Sequence, residues 1–410
     1  MKRRSFLTGL AATPPALWLA GCEDPAPPMI RIGALRQRLR ETLAEPDFGA
    51  PGAMAIILRN GTLSDIAAVG MARFEADGVT EARALETGQL VRCASISKLA
   101  TALLAGSLSD EGILDLDADI GASAGLVLDG PGMAGRPVSV RQLLGHVSGL
   151  ADPPVYWLNA PGRIEALLTQ EAFSGAAPGE RFLYCNLGYG IAATVMERIT
   201  GERFDRLVDT RVTWPLGIGP SAFNWSGTPA AERREGVSLH VREDGRWQES
   251  VDTAEFLNSD RSGVLLDDGF ALADYEIGSN ATIFGPQGGY RTTIEGMARL
   301  ALAFAAGGPG EALAAPLRAD AGPGEMWGTG PQILPEGLMG DHPELVGHPG
   351  EAYGFYGGAW AVRDGSIAFA YCVTGADRSG GVSRHPVSEF TRWEQELFTR
   401  VWQEIAAGGV

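Results

Sequence analysis

The chain has 410 residues, 45% of them hydrophobic and 20% charged, so it is long enough for one large folded domain or two ordinary ones and is not a disordered polypeptide. Its 50 acidic residues outnumber its 33 basic ones, for a net charge of −17, and no basic patch offsets this. That balance repels nucleic acid and anionic lipid headgroups, and argues against a nucleic-acid partner.

The N-terminal stretch reads as an address. Lys2-Arg3-Arg4-Ser5-Phe6-Leu7 supplies a charged start with paired arginines, and Gly9 to Ala20 is apolar but too short to span a bilayer. The run ends in Leu19-Ala20-Gly21-Cys22, which resembles a bacterial lipoprotein signal, while the paired arginines resemble a twin-arginine export signal. The expectation is a signal peptide over 1–21, a lipid anchor at Cys22, a short Pro-rich tether over 22–29, and residence in the bacterial envelope facing the periplasm. Three cysteines remain, Cys93, Cys185 and Cys372; their spacing matches no zinc site, and small buried thiols are their expected role.

Apolar residues at helical spacing predict a first helix over Ile30–Leu43. Ala53–Arg59 has strand character, and Asn60-Gly61 turns it into a second strand near Ala67–Phe74. Ser95 opens a helix that runs to Gly112. Helices and long loops fill the chain from there to about residue 285, including Leu187–Thr200, stopped by Gly201; another helix covers Thr292–Ala306. Strands return at Gly354–Val362 and Ser366–Val373 around Asp364-Gly365, and a last helix covers Val387–Ala406. The prediction is an α+β fold. One antiparallel sheet is built from both chain ends (about 30–94 and 286–406), helices flank it, and a mostly α-helical insertion (about 95–285) carries part of the site.

Outside residue 2, lysine occurs once, at Lys98. Arginine cannot lose its proton at working pH, whereas a buried lysine can. Lys98 lies three residues after Ser95, so on a helix the amine can reach the hydroxyl and take its proton. A second segment, Tyr184-Cys185-Asn186, is extended; residues two apart share a face, so Tyr184 and Asn186 point together and Cys185 turns inward. Beside a lysine, a lowered phenol pKa would let Tyr184 move protons, and the Asn186 amide can hold a carbonyl or the lysine. In a third, His348-Pro349-Gly350-Glu351, the histidine could donate a hydrogen bond to substrate and Gly350 would let substrate approach the backbone. The Glu351 and Ser95 N–H groups could form an oxyanion hole.

The three segments together resemble the serine β-lactamase and penicillin-recognising superfamily, in its class C-like branch with D-peptidases and esterases. Val140 to Leu150, Pro215-Leu216-Gly217 and Gly285 to Thr293 are similar to segments of that branch as well, so the resemblance spans roughly residues 30–405. It implies Ser95 as the acylated nucleophile, Lys98 and Tyr184 as the proton-transfer pair, Asn186 and His348 as substrate-positioning groups, and no cofactor or metal. The third segment departs from the Lys-Thr-Gly pattern: Pro349 lacks hydroxyl and N–H, which weakens any grip on a substrate carboxylate.

Other patterns are set aside. Gly130 to Gly135 matches G-x-G-x-x-G without a preceding strand, and Asp115-Leu-Asp117-Ala-Asp119 lacks the rest of a calcium loop and is read as the end of a helix. His146 with Ser148 lacks a G-x-S-x-G elbow, and His146 is read as a satisfied structural histidine. The function expected is metal-independent hydrolysis of a small ester or amide through an acyl-serine. The alternatives are a D,D-peptidase or β-lactamase, or a binding lipoprotein with a weak site.

Overall fold

The computed structural model describes residues 33–159, 161–259, 271–317, 326–379, 381–386 and 389–408. The expected signal segment 1–21, anchor Cys22 and tether 22–29 lie outside them. Among the described residues no helix is long and apolar enough to cross a membrane.

The strands are β1 (Gly52–Arg59), β2 (Thr62–Phe74), β3 (Glu81–Ala84), β4 (Val91–Arg92), β5 (Ser221–Phe223), β6 (Leu239–Glu243), β7 (Arg246–Val251), β8 (Tyr290–Thr292), β9 (Gln332–Leu334), β10 (Leu345–Ala352), β11 (Phe355–Val362), β12 (Ile367–Val373) and β13 (Gly375–Ala376). Seven form the central sheet, in the order β3-β2-β1-β12-β11-β10-β9. Asn60 (φ 47°) and Gly61 (φ 73°) make the tight turn between β1 and β2, a conformation that asparagine and glycine reach at little cost. β1 pairs antiparallel with β12, Ile56 opposite Ala370, so the two halves of the chain close one sheet as expected.

Side chains alternate across β1. Met54, Ile56 and Leu58 belong to the core beneath the helical region, whereas Ala53, Ala55 and Ile57 belong to a second core. That second core is closed by Leu35 and Leu39 of the helix Ala34–Leu43, and by Trp393, Leu397, Val401 and Ile405 of the helix Arg392–Ala407. The result is the α+β layering expected, with helices on both faces of an antiparallel sheet.

Four local expectations are corrected. The helix at the first motif does not begin at Ser95: Ala94–Ile96 is a tight 3₁₀ turn and the α-helix runs Ser97–Asp110. The insertion, read as helices and long loops, also holds strands: β6 and β7 form a hairpin around Asp244-Gly245 and β6 pairs in parallel with β13. Asp119 does not end a helix but caps the start of one, accepting from Ala122 N–H. The last helix starts at Arg392, behind a Thr391–Glu394 capping box.

Candidate active site

The first motif is held by a clamp. Ala94 sits at φ 47°, an uncommon conformation for alanine, and Ser97 Oγ donates to Ala94 O at 2.6 Å while accepting Tyr290 N–H at 2.9 Å. Cys93 N–H donates to Tyr290 O at 2.9 Å. The turn is thus pinned to β8 on both sides, and Ser95 is left facing a cleft.

Lys98 is fully buried in the first turn of the helix behind it. Its Nζ lies 3.1 Å from Ser95 Oγ and donates to Asn186 Oδ1 and to Gln287 O, each at 2.8 Å. Burial pushes the amine down to about pKa 7, against the opposing charge of Asp152. A neutral amine has two N–H bonds and one lone pair. Asn186 and Gln287 take the two N–H bonds, which leaves the lone pair directed at Ser95.

Tyr184 OH donates to Ser95 Oγ at 2.9 Å. The second motif therefore meets the first as its spacing implied, and Cys185 is buried. The expected lowering of the Tyr184 pKa is not found: burial holds the phenol well above its ordinary value, so the phenol keeps its proton at neutral pH. Of the two groups on Ser95 Oγ, Lys98 is therefore the one able to accept a proton at neutral pH and Tyr184 the one able to donate one.

Two residues reach the site that the three motifs do not include. The Asp152 carboxylate takes Asn186 Nδ2 and the Leu187 N–H at 2.8 Å each. An acid following Gly149-Leu150 is the only sequence signal for it. The structural histidine His146 stands against the site: its ring stacks on Tyr184 at 4.3 Å, and its Nδ1 accepts the Cys185 N–H at 3.1 Å. It holds φ 60°, and burial keeps it neutral.

The third motif also reaches the cleft, with roles that differ from those expected. His348 Nδ1–H donates to Pro349 O at 2.6 Å. Burial and the nearby Lys98 charge push the ring down to about pKa 3, so it is neutral and its Nε2 carries a lone pair. His348 thus offers an acceptor, not the donor expected. Gly350 borders the larger lobe, but the direction its Cβ would take is filled by protein. A Cβ there would meet Cys93 O at 2.9 Å and Phe355 Cε1 at 2.8 Å, so glycine lets β10 pack against the nucleophile turn. The Glu351 carboxylate pairs with Arg384 at 2.8 Å.

The cleft has two lobes that meet at Ser95. The larger, about 1030 Å³, is walled by Phe182, Tyr184, Trp327, His348 and Phe390. The smaller, about 240 Å³, is lined by Arg92, Trp157, Asn159, Asn224 and Gln287. Ser95, Tyr156, Asn186, Glu351 and Tyr353 border both.

The family model for Beta-lactamase matches residues 35–388. The chain belongs to the beta-lactamase family. Its structure has the β-lactamase/transpeptidase-like fold. It is 30% identical over 149 residues to penicillin-binding protein 4* of Bacillus subtilis (34% of this chain, 32% of that protein). It is 28% identical over 143 residues to the D-alanyl-D-alanine-carboxypeptidase/endopeptidase AmpH of Escherichia coli (33% of this chain, 37% of that protein). These matches span between about a third and under half of the curated relatives' length. In structure it is similar to EstCE1, a hydrolase with promiscuous acyltransferase activity (TM-score 0.66, 17% identity, covering 90% of this chain and 98% of that one). It is equally similar to the D-amino acid amidase of Ochrobactrum anthropi (TM-score 0.66, 17% identity, 92% and 99%). At those identities the structural likeness is one of fold.

Proposed function

We propose that the protein hydrolyses a small ester or amide through an acyl intermediate on Ser95. The observation that carries this reading is the convergence of Lys98 Nζ and Tyr184 OH on Ser95 Oγ, at 3.1 and 2.9 Å. Lys98 takes the hydroxyl proton as Oγ attacks the carbonyl carbon, and negative charge passes to the carbonyl oxygen. The Ser95 and Glu351 N–H groups are the proposed donors to that oxygen. When the tetrahedral species collapses, the departing oxygen or nitrogen takes a proton from Tyr184, which recovers one from the Lys98 ammonium. Water then attacks the acyl carbon, gives up a proton to the same pair, and the bond to Ser95 Oγ breaks as that oxygen is reprotonated.

The relatives named as D-alanyl-D-alanine carboxypeptidases and penicillin-binding proteins make a D,D-peptide or β-lactam the competing substrate. The neutral His348 and the donorless Pro349 count against it, because both classes carry a carboxylate that a cation grips best. Paired turnover of 4-nitrophenyl butyrate and nitrocefin tests the choice. Ester cleavage that Ser95→Ala abolishes, with negligible nitrocefin turnover, is the expected result; the reverse ranking favours the β-lactam reading. Uptake of a fluorophosphonate at Ser95 separates both from a binding lipoprotein. Export and lipid anchoring rest on residues 2–22 alone; retention of the wild type in membranes with release of Cys22→Ala is the corresponding test.

A further inference from the structure

The smaller lobe contains a cation that no carboxylate among the described residues holds. The chain has 50 acidic residues, yet the one acid among the residues lining this lobe is Glu351, already paired with Arg384. Arg92 donates through Nε to Gly288 O at 2.9 Å, and its guanidinium lies 4.6 Å from the Tyr353 ring centroid. The ring is set there by an uncommon backbone, Tyr353 at φ 56° beside Gly354 at φ 90°. Backbone pairing of β4 with β8, Arg92 opposite Arg291, fixes the stem. Arg291 cannot lend its own counter-ion, because Asp252 is engaged by two of its nitrogens at 3.1 and 2.8 Å. The terminal nitrogens of Arg92 are therefore preorganised and uncommitted among the described residues. Asn159, Asn186, Asn224 and Gln287 line the same lobe. Burial lowers the guanidinium only to about pKa 10, which leaves it charged at neutral pH.

The lobe can be assigned to one half of the substrate. Tyr184, the proposed donor to the departing atom, borders the larger lobe and not the smaller one. The leaving group therefore departs into the larger lobe, and the acyl group stays in the smaller.

We propose that the smaller lobe is a carboxylate-binding acyl subsite, with Arg92 as its specificity residue, so that preferred substrates are esters or amides whose acyl chain ends in a carboxylate. This rests on the serine hydrolase reading above. A planar guanidinium held on one edge and one face still offers its outer nitrogens to a carboxylate. A free ammonium on the acyl chain meets a like charge there and is disfavoured.

The test compares two esters on the full chain: the 4-nitrophenyl monoester of adipic acid, and the same ester with the distant carboxyl converted to a primary amide. A charge-assisted bond predicts kcat/KM higher for the acid by on the order of tenfold to a hundredfold. In Arg92→Gln the ratio between the two esters falls toward one, and in Arg92→Lys part of it returns; taking the ratio within each variant cancels any general loss of activity. Equal or better cleavage of the amide-ended ester by the wild type overturns the subsite while leaving the hydrolase standing. Cleavage of neither ester overturns the hydrolase reading and the subsite with it. The wild-type ratio decides the matter even where a variant fails to fold.

Discussion

The Asp152 carboxylate sits behind Asn186, accepting its Nδ2–H at 2.8 Å, and so turns the amide oxygen toward the Lys98 amine. It uses both oxygens, Oδ2 for Asn186 and Oδ1 for the Leu187 N–H. Asp152→Asn keeps the shape but has one oxygen where two are used, which leaves one donor misplaced at a cost of about 1–3 kcal/mol. It also removes the charge that favours the protonated amine. The expected outcome is a lower kcat together with an acid limb of kcat/KM displaced to lower pH. A limb that stays in place would show that Asp152 acts through shape alone.

As the proposed base, Lys98 should set the pH profile. Its amine is depressed from 10.5 to about 7, so the neutral base predominates above that pH and is lost below it. The kcat/KM of the free enzyme should therefore fall on the acid side with a midpoint near 7. His348, pushed down to about 3, cannot supply that limb. Lys98→Arg keeps a positive charge and forfeits the lone pair. Its activity should drop by on the order of 10²–10⁴, the usual contribution of a positioned base, while circular dichroism and melting report a folded chain. Activity of Lys98→Arg within about tenfold of wild type would remove lysine from the role of base.

Much of this arrangement is legible in the sequence because chemistry concentrates on a few residue types. The one lysine beyond residue 2, three residues after a serine, locates the proposed nucleophile and base. The turn pairs Asn60-Gly61 and Asp364-Gly365 mark two hairpins of the sheet, since their backbone needs are local. The residues that tune the site stay hidden, because burial and the partner across a fold are not properties of a motif. A lysine neighbour implies a depressed pKa for Tyr184, yet desolvation dominates and moves it upward. A histidine at a strand edge implies a donor, but the Pro349 carbonyl fixes the tautomer of His348. Asp152 and His146 are recognisable only once Asn186 and Tyr184 have been placed. The β6–β7 hairpin is a different kind of miss: Asp244-Gly245, with φ 48° and 76°, is a local turn signal inside a region whose pattern reads as helices and loops.

Gly350 couples the third motif to the first by close approach. A methyl group there meets Cys93 O at 2.9 Å and Phe355 Cε1 at 2.8 Å, both closer than carbon tolerates. One neighbour is backbone of the nucleophile turn, so Gly350→Ala must push β10 away from Ser95. Overpacking of this kind costs roughly 1–3 kcal/mol, which a chain of this size survives. Turnover should suffer more than stability, because Glu351 N–H, proposed to face the oxyanion, moves with the strand. The measurement is kcat alongside the melting temperature. A small drop in melting with a drop in kcat of about tenfold or more is expected, and a kcat unchanged in the face of a clear drop in melting would separate β10 from catalysis.

Glu394 gives the fold a pH dependence of its own. Its Oε2 accepts from Thr391 N–H at 2.8 Å and Thr391 Oγ–H at 2.7 Å, in the capping box of the helix Arg392–Ala407. Burial nonetheless raises the carboxyl from 4.5 to about 8, with the nearby Glu351 charge adding to the rise. Between those values the folded chain holds a proton that the unfolded chain has released, so this group makes stability fall as pH rises from about 4.5 to about 8. Lys98 acts in the opposite sense at higher pH: between about 7 and 10.5 the unfolded chain holds the extra proton, and stability rises with pH. Glu394→Gln isolates the first effect, since glutamine keeps an oxygen for Thr391 and its amide replaces the protonated half of the carboxyl. Variant and wild type should melt alike near pH 5. The variant should then gain steadily to an advantage of a few kcal/mol at about pH 9, rising by at most about 1.4 kcal/mol for each pH step of one. A difference that stays constant from about pH 5 to 9 would mean that Glu394 is ionised in the fold throughout, held by a counter-charge such as Arg384 strongly enough to outweigh its burial.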